Sequence, residues 1–301
     1  MIETIGFIGL GIMGKPMATN LIKGGYQLRL YDVVPEVVAS FQDKGAFAAT
    51  SPADAADEVD AVISILPSDA IVETVALGEN GVADTLKSGG IYVDMSTLSP
   101  ATPRGISEKL KQKDIEMLDA PVSGGDIGAA EATLAIMVGG GKEAFDTMLP
   151  VFQKMGQNIN YIGESGAGQI AKCANQIIVA QTIEAVSEAL LLAEKAGGDP
   201  AKVRQALLGG FAQSRVLEVH GQRMLDRNFE PGGRVSIHKK DTEIAMQIAA
   251  EIGLYLPGTA LTSQLWNAAT AQAGGSEWDH SGILKLLEML SGAKVASGNC
   301  S

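Results

Sequence analysis

Cysteine and positive charge are both scarce in this sequence, and each shortage excludes a class of protein. Two cysteines among 301 residues, Cys173 and Cys300, cannot build a disulfide framework, which indicates a reducing compartment. Because 35 acidic residues face only 23 basic ones, giving a net charge of −12, nucleic acid and anionic membranes would repel the chain. The apolar run at residues 5–13 is too short for a membrane span and is interrupted by glycines. We therefore expect a soluble cytoplasmic protein whose partners are small molecules, not nucleic acid or membranes.

The pattern of elements predicts two domains with different architectures. Hydrophobic residues make up 46% of the chain, enough for a substantial core. Up to residue 163, β-like runs alternate with helices, which predicts an α/β Rossmann-type doubly wound parallel sheet with helices on both faces. Residues 169–195 contain neither glycine nor proline and predict a long helix that opens an all-α C-terminal domain. We place the domains at 1–163 and 164–296, and a loose polar tail at 297–301.

Within the first domain, hydrophobic runs and turn residues set the expected elements. Glycines and proline mark several helix ends, including a helix start at Ser99-Pro100. Helices are expected at 11–23 and 35–44, and strands at 4–8, 27–31, 61–65, 91–94, 116–120 and 133–138.

A glycine pattern typical of dinucleotide binding follows the first predicted strand and opens the first predicted helix. Gly9 permits a tight turn, Gly11 lets the backbone approach a pyrophosphate, and Gly14 lets helix and strand pack closely. The phosphates would lie at the helix N-terminus, where N–H groups and the helix dipole favour anions. The pattern alone also fits a plain tight turn, so its context carries the prediction. We predict a cofactor loop made of Gly9, Gly11, Ile12, Met13 and Gly14.

Asp32 ends the second predicted strand, where an acid can bond the ribose hydroxyls of a dinucleotide. A carboxylate at this position repels a 2′-phosphate, and the next residue is Val33 rather than arginine. The sequence therefore favours NAD over NADP. The alternative is that Asp32 only ends the strand or caps the helix that starts at Pro35.

The segment after the strand at 116–120 contains a hydroxyl and two glycines, Ser123, Gly124 and Gly125. It follows a strand of the predicted parallel sheet, so it lies at the carboxyl edge where ligands bind. Backbone N–H groups at the two glycines could hold a carboxylate. A simple glycine turn explains the same residues, and the segment alone does not decide between the two interpretations.

Lys172 is the only charged residue between Glu164 and Glu184, in a segment that is apolar on nearly every face. Most helical lysines are solvated, but this one is predicted to be buried. Burial lowers the pKa of a lysine, so Lys172 could exchange protons near neutral pH as a general acid/base. Asn175 lies three residues further along, on the same helix face, and could hold a substrate oxygen, orient the lysine or satisfy nearby backbone.

Two further segments contain polar groups without a clear pattern. Most basic pairs such as Lys239-Lys240 are solvated, and Asp279-His280-Ser281 fits a cap or a turn. The three histidines and two cysteines show no metal-ligand spacing, so we predict no metal site.

Together these motifs resemble the β-hydroxyacid dehydrogenases over nearly the whole chain. The resemblance rests on the glycine loop, on residues 119–125, on Gly168-x-x-x-Lys172-x-x-Asn175 and on Lys240-Asp241. It implies Lys172 as the catalytic acid/base together with Asn175. It also implies substrate binding by Ser123, Gly124, Gly125, Asn175 and Lys240, and cofactor contacts from Leu66, Pro67, Thr97 and Lys240.

The resemblance further implies NADH-dependent reduction of tartronate semialdehyde to D-glycerate by a homodimer or homotetramer, with the helical domain serving substrate binding and assembly. Other 3-hydroxy acids and semialdehydes stay open, including 3-hydroxyisobutyrate, succinic semialdehyde and sulfolactaldehyde. A non-catalytic dinucleotide-binding module would need neither Lys172 nor the Ser123 segment. Gln176 departs from the pair of asparagines that many members have here, which leaves the role of this position open.

Overall fold

Residues 2–295 are described by the computed structural model, and the predicted tail at 297–301 lies outside them. Contacts divide the chain into two compact units, Met1–Lys172 and Cys173–Ser301. Within the described residues, the first unit holds one nine-stranded sheet. Its strands are β1 (Thr4–Ile8), β2 (Gln27–Tyr31), β3 (Phe47–Ala48), β4 (Ala61–Ser64), β5 (Ile91–Asp94), β6 (Glu116–Asp119), β7 (Val122–Ser123), β8 (Leu134–Gly140) and β9 (Gly156–Gly163).

Most of this sheet is parallel, in the order β3-β2-β1-β4-β5-β6-β8-β7, with β9 paired to β8. The parallel pairs run from β3 through to β6, and β8 pairs with β9 in the same sense. The strand order reverses at β1, so β2 and β4 flank it on opposite sides. This doubly wound arrangement confirms the predicted fold class of the first unit.

One region departs from the predicted parallel sheet. β8 runs antiparallel to both β6 and β7, in one continuous register from Leu118↔Gly140 to Ser123↔Ala135. Pro121 separates β6 from β7, because proline has no N–H to give to a sheet ladder. The connection from β7 to β8 is a seven-residue helix. It does not return the chain to the edge where the parallel strands begin, so β8 must run antiparallel.

Helices cover both faces of the sheet, each over its own buried apolar cluster. One cluster includes Met17, Leu21 and Phe152, and the other includes Val72, Val82 and Ile106. The helices are α1 (Gly14–Lys23), α2 (Pro35–Ala39), α3 (Pro52–Ala56), α4 (Asp69–Leu77), α5 (Val82–Thr85), α6 (Ala101–Lys111), α7 (Gly125–Glu131) and α8 (Lys142–Phe152).

Two of the predicted helices differ from those observed. α1 begins at Gly14 rather than at residue 11, because the preceding glycines form an open loop. The predicted helix at 35–44 breaks after Ala39, and residues 42–44 form a 3₁₀ turn. The Ser40 hydroxyl donates to the Val37 carbonyl at 2.6 Å, a bond that competes with continued helix.

The second unit is helical, as predicted, with a core around the fully buried Trp266. Among the described residues, α9 is the one helix long and apolar enough to cross a membrane, yet buried helices of soluble proteins share this property. Of the most apolar 18-residue stretch of α9, 44% is buried inside the protein. The helices are α9 (Ala167–Lys195), α10 (Pro200–Leu207), α11 (Arg215–Leu225), α12 (Val235–Ile252), α13 (Pro257–Thr270) and α14 (Ile283–Ser291), with 3₁₀ turns at Gly275–Glu277 and His280–Gly282.

The boundary between the units lies inside α9, nine residues beyond the predicted one at 163/164. Gln169, in the first turn of α9, bonds Ser96 and Leu98 after β5. Its backbone N–H also donates to Asp119 at the end of β6. These bonds attach the start of α9 to the sheet, so the first unit extends to Lys172.

Candidate active site

Apart from Lys240, which lies on α12 in the second unit, the residues predicted to bind a cofactor follow four neighbouring strands of the first unit. Gly9 follows β1, Asp32 follows β2, Leu66 and Pro67 follow β4, and Thr97 follows β5. Because these strands are adjacent and parallel, their carboxyl ends meet at one edge of the sheet. The structure therefore brings these residues to the edge where doubly wound folds bind ligands.

The glycine loop at 9–13 has the geometry that its pattern predicts. Gly9 has a φ of +94°, and its N–H donates to the Tyr31 carbonyl at 2.9 Å. A Cβ at Gly14 would overlap the Gly9 carbonyl oxygen, so helix and loop need glycine there. A Cβ at Gly11 would meet nothing within 4 Å, and Ile12 beside it is 45% exposed. This open backbone leaves room for a pyrophosphate at Gly11, so the loop fits a dinucleotide.

Two alanine substitutions separate cofactor contact from folding. Gly14→Ala forces its Cβ onto backbone, so we expect lower stability together with lost NADH binding. Gly11→Ala has space in the protein, so we expect an unchanged melting temperature and NADH affinity weaker by roughly 10-fold or more, equal to about 1.4 kcal/mol. Thermal melting and NADH fluorescence titration of both variants check this. Normal NADH affinity of folded Gly11→Ala would contradict close approach of the cofactor at Gly11.

Asp32 is half-buried, and each of its carboxylate oxygens accepts a hydrogen bond from a backbone N–H group. One oxygen accepts the Leu10 N–H at 2.6 Å, and the other accepts the Val34 N–H at 2.8 Å. Asp32 therefore does bond the backbone just before the helix at Pro35, which is the structural role given as the alternative in the sequence analysis. A carboxylate oxygen accepts more than one hydrogen bond, so these contacts leave capacity for ribose hydroxyls. Asp32 thus both shapes the glycine loop and offers an anion at its edge.

Asp94 is a buried carboxyl that connects the segments following β4 and β5. It accepts hydrogen bonds from the Ser64 hydroxyl at 2.5 Å, the Ser96 hydroxyl at 3.0 Å and the Ser96 N–H at 3.1 Å. The Ser96 hydroxyl in turn accepts the Leu66 N–H at 2.8 Å. Burial raises the pKa of Asp94 to about 7, although the serine hydrogen bonds oppose the shift. This network fixes the backbone of Leu66 beside Ser96, immediately before Thr97.

Asp119 and Gln169 attach the start of α9 to the sheet. The Asp119 carboxylate accepts the Gly166 N–H at 2.7 Å and the Gln169 N–H at 3.0 Å. The Gln169 amide bridges the Ser96 carbonyl and the Leu98 N–H at 2.9 and 3.0 Å. Burial raises the pKa of Asp119 to about 6, against the backbone hydrogen bonds that lower it. The first turn of α9 is thereby held next to the segment that carries Thr97.

Lys172 lies one turn further along α9 and is only 7% exposed, which confirms its predicted burial. Gly168 lets the helix approach the sheet edge, because a Cβ there would lie 2.5 Å from the Asp119 carbonyl oxygen and would also strike the Met137 carbonyl. The ammonium group is therefore carried by a helix turn with little freedom to shift. A positioned, buried lysine of this kind suits proton transfer.

The predicted substrate segment lies at the same edge of the sheet. Ser123 ends β7, and Gly124 and Gly125 follow with φ values of +140° and +64°. Both glycines are exposed, and a Cβ at Gly125 would meet no atom within 4 Å. α7 begins at Gly125, so N–H groups of its first turn have no partner within the helix. The segment therefore offers backbone donors to an anion, as the sequence indicated.

In the second unit, the predicted residues Asn175 and Lys240 belong to one polar chain. The Asn175 amide donates to the Gln176 side-chain oxygen at 2.7 Å, and the Gln176 amide donates to Asp241 at 2.6 Å. The other Asp241 oxygen lies 3.4 Å from the Lys240 ammonium. Gln176 and Asp241 are buried. Gln176 thus orients Asn175, which gives this departure from the family pattern a structural role.

Sequence reasoning missed Asp94 and Gln169 as supports of the candidate residues in the first unit, and it missed the Gln176–Asp241 pair in the second unit. Their partners lie far along the chain: the Gln176–Asp241 hydrogen bond spans 65 residues, and the Gln169–Ser96 bond spans 73. The available signal was position, since Gln169 lies one helical turn before Lys172 and Asp241 follows Lys240.

The fold agrees with comparisons to known proteins. Residues 4–163 match the family described as the NAD binding domain of 6-phosphogluconate dehydrogenase. Residues 166–287 match the family described as NAD-binding of NADP-dependent 3-hydroxyisobutyrate dehydrogenase. The fold and the site therefore define an oxidoreductase that uses a nicotinamide dinucleotide.

Individual relatives specify the class further. The chain is 46% identical to 2-hydroxy-3-oxopropionate reductase from Escherichia coli K12, over 97% of this chain and 99% of the reductase. It is 34% identical to 2-(hydroxymethyl)glutarate dehydrogenase from Eubacterium barkeri, over 98% of each chain. The crystal structure of 3-hydroxyisobutyrate dehydrogenase from Salmonella typhimurium matches with a TM-score of 0.86 and 29% identity, covering 94% of this chain and 99% of that one. The chain belongs to the β-hydroxyacid dehydrogenase family.

Proposed function

We propose that the chain reduces tartronate semialdehyde to D-glycerate with NADH. The observation that carries this proposal is the buried Lys172 on a helix turn anchored through Asp119, at the edge that also holds the glycine loop and the Ser123 segment. The choice of aldehyde is supported by the 46% identity to 2-hydroxy-3-oxopropionate reductase.

In this mechanism each group of the chain has one task. The backbone donors at Ser123–Gly125 hold the substrate carboxylate. The Lys172 ammonium protonates the alkoxide that forms at the carbonyl oxygen, and in the reverse direction the neutral amine takes the hydroxyl proton. Asn175, oriented by Gln176, bonds a substrate oxygen. The dinucleotide, when bound at the glycine loop, supplies the hydride.

NADH is expected to be preferred over NADPH because of the Asp32 carboxylate. A 2′-phosphate placed about 4 Å from this anion would be repelled by several kcal/mol at an effective dielectric near 20. We expect kcat/KM for NADH to exceed that for NADPH by roughly 100-fold, or about 2.7 kcal/mol. Asp32→Ser should reduce this ratio to below roughly 10-fold. The control Asp43→Ser removes an exposed carboxylate and should leave the ratio unchanged. An unaltered ratio in Asp32→Ser would show that another group selects the cofactor.

A substrate panel tests the proposed aldehyde. Initial rates of NADH oxidation are measured with tartronate, methylmalonate and succinic semialdehydes and with sulfolactaldehyde. The highest kcat/KM is expected for tartronate semialdehyde. A clear preference for another aldehyde would retain the proton-transfer mechanism and replace the substrate. No turnover with any of them would favour a dinucleotide-binding module without catalysis.

We also propose that the protein is a cytoplasmic homodimer or homotetramer that binds neither nucleic acid nor membranes. Large apolar side chains on α9 support assembly, since Ile178 is 66% and Leu192 is 70% exposed in the single chain. Light scattering after gel filtration measures the mass, and a monomer at micromolar concentration would reject the assembly proposal.

A further inference from the structure

The three histidines of the chain lie together in the second unit, although the sequence separates them widely. His220 lies on α11, His238 on α12, and His280 in the 3₁₀ turn at 280–282. The Nε2 atoms of His220 and His280 are 3.1 Å apart, and the Nδ1 atoms of His238 and His280 are 3.4 Å apart. The sequence predicted no metal site because spacing along the chain does not show this convergence.

A buried carboxylate completes the cluster. Asp279, which is fully buried, lies with His220 and His280 so that one ligand atom from each is within 4.8 Å of the other two. Its carboxylate accepts hydrogen bonds from the Gly232 and Gly233 N–H groups and from Ser281. Asp279 therefore offers a buried carboxylate beside the imidazoles of His220 and His280.

We propose that His220, Asp279 and His280 form a binding site for a divalent transition-metal ion, with Zn²⁺ as the reference ion. Two imidazoles and a carboxylate are ligands that Zn²⁺ accepts. Tetrahedral zinc with bonds of about 2.0–2.1 Å places two ligand nitrogens roughly 3.3 Å apart. The His220–His280 separation of 3.1 Å is close to that value. The Asp279 carboxylate lies within 4.8 Å of a nitrogen of each imidazole, so it must move inward to bind the ion, and water can fill the fourth position.

The neighbouring cation sets the expected strength of this site. The Arg223 Nε lies 3.4 Å from the Asp279 Oδ1, so a bound metal ion would be close to a guanidinium. Like charges at such distances oppose each other even with strong screening. We therefore expect micromolar rather than nanomolar affinity for Zn²⁺. Removing the guanidinium charge should strengthen binding, which distinguishes a cation site from a cluster held only by hydrogen bonds.

An ordinary hydrogen bond between imidazoles would also account for the 3.1 Å separation of His220 and His280. The two explanations differ in what binding an ion does. An ion held by both α11 and the turn at 280–282 stabilises the folded state by an amount that grows with the logarithm of its concentration above the Kd. A cluster that is only hydrogen-bonded gives no such dependence of the melting temperature on Zn²⁺ concentration.

The experiment uses the full chain without a polyhistidine tag, in a Cys300→Ser background that removes an extraneous thiol. Zn²⁺ is titrated in competition with a chromophoric chelator, and Co²⁺ reports ligand geometry by its visible absorption. We expect one ion per chain and a melting temperature that rises with Zn²⁺. His220→Gln and His280→Gln should each weaken binding at least 10-fold, and Arg223→Gln should strengthen it several-fold. Asp226→Asn, which alters an exposed carboxylate at the end of α11, should change nothing.

Folding of each variant is checked by circular dichroism and by NADH turnover, since these residues lie outside the candidate active site. The absence of saturable Zn²⁺ binding below roughly millimolar concentration would overturn the proposal. Equal affinity in the wild type and both histidine variants would also overturn it, because the ion would then bind elsewhere. If a histidine variant does not fold, the Arg223→Gln result decides, and unchanged or weaker binding there counts against the site.

Discussion

Replacing Lys172 by alanine is expected to lower kcat for semialdehyde reduction by about 10²–10⁴-fold, the usual contribution of a positioned acid/base. The side chain is buried, and its helix turn is attached to the sheet through Asp119 and Gln169. The cofactor loop belongs to other strands, so NADH affinity should remain within a few-fold of the wild type.

Two measurements isolate this effect from a general loss of structure. NADH fluorescence titration reports cofactor binding without turnover, and single-turnover kinetics report the chemical step. Lys195→Ala is the matched control, because it removes an exposed lysine from the last turn of the same helix. This control should retain full activity. Near-normal kcat in folded Lys172→Ala would show that another group transfers the proton.

Asp94→Asn is expected to change how stability depends on pH. The pKa of Asp94 is about 7 in the folded protein because of burial, against roughly 3.9 for an unfolded aspartate. Between these values the folded state keeps a proton that the unfolded state has lost. The free energy of unfolding contributed by this group therefore falls as pH rises from about 4 to 7 and is constant above that range.

The asparagine cannot titrate, so it removes this loss. Near pH 3.5 the two proteins should have similar stability, because Asp94 is then largely protonated in both the folded and the unfolded state and a protonated carboxyl resembles an amide. At pH 8.5 the variant should be more stable, by on the order of 4 kcal/mol for a shift of about three pH units. Urea unfolding at several pH values measures the difference, with exposed Asp43→Asn as a control whose stability differs little from the wild type. A gap that does not widen with pH would mean that Asp94 is charged throughout.

Local pattern was sufficient for most of the fold. Strands at 4–8, 27–31 and 91–94 were predicted with the observed limits, because apolar runs and flanking turn residues specify them. The helix at 35–44 was wrong beyond Ala39, where a serine side-chain bond competes with helix. The strand at 133–138 was predicted, but its antiparallel direction was not, since strand direction depends on where the chain lies after α7, which hydrophobic periodicity does not encode.

The residues of the candidate site likewise divide into those that the sequence identified and those that it did not. The sequence identified Gly9 and Gly14 because a tight turn and close packing require glycine at these positions. It identified Lys172 because a lysine is unusual in an apolar helical segment. The supporting groups Asp94 and Gln169 look like ordinary polar residues in the sequence. Their importance comes from burial and from partners on other elements, which only the folded chain brings together.

The segment at 119–125 positions two parts of the candidate site within a few residues of chain. Its first carboxylate fixes the helix start that carries Lys172, and its last residues present the backbone donors at Gly124 and Gly125. A displacement of β6 would therefore carry the anchor of the proton donor and the carboxylate-binding backbone in the same direction. Because both groups are positioned by one segment, the spacing between the proton donor and the carboxylate-binding backbone is maintained. Side chains elsewhere around the site can then change to accept new aldehydes. Substrate choice and reaction chemistry can then evolve on separate residues.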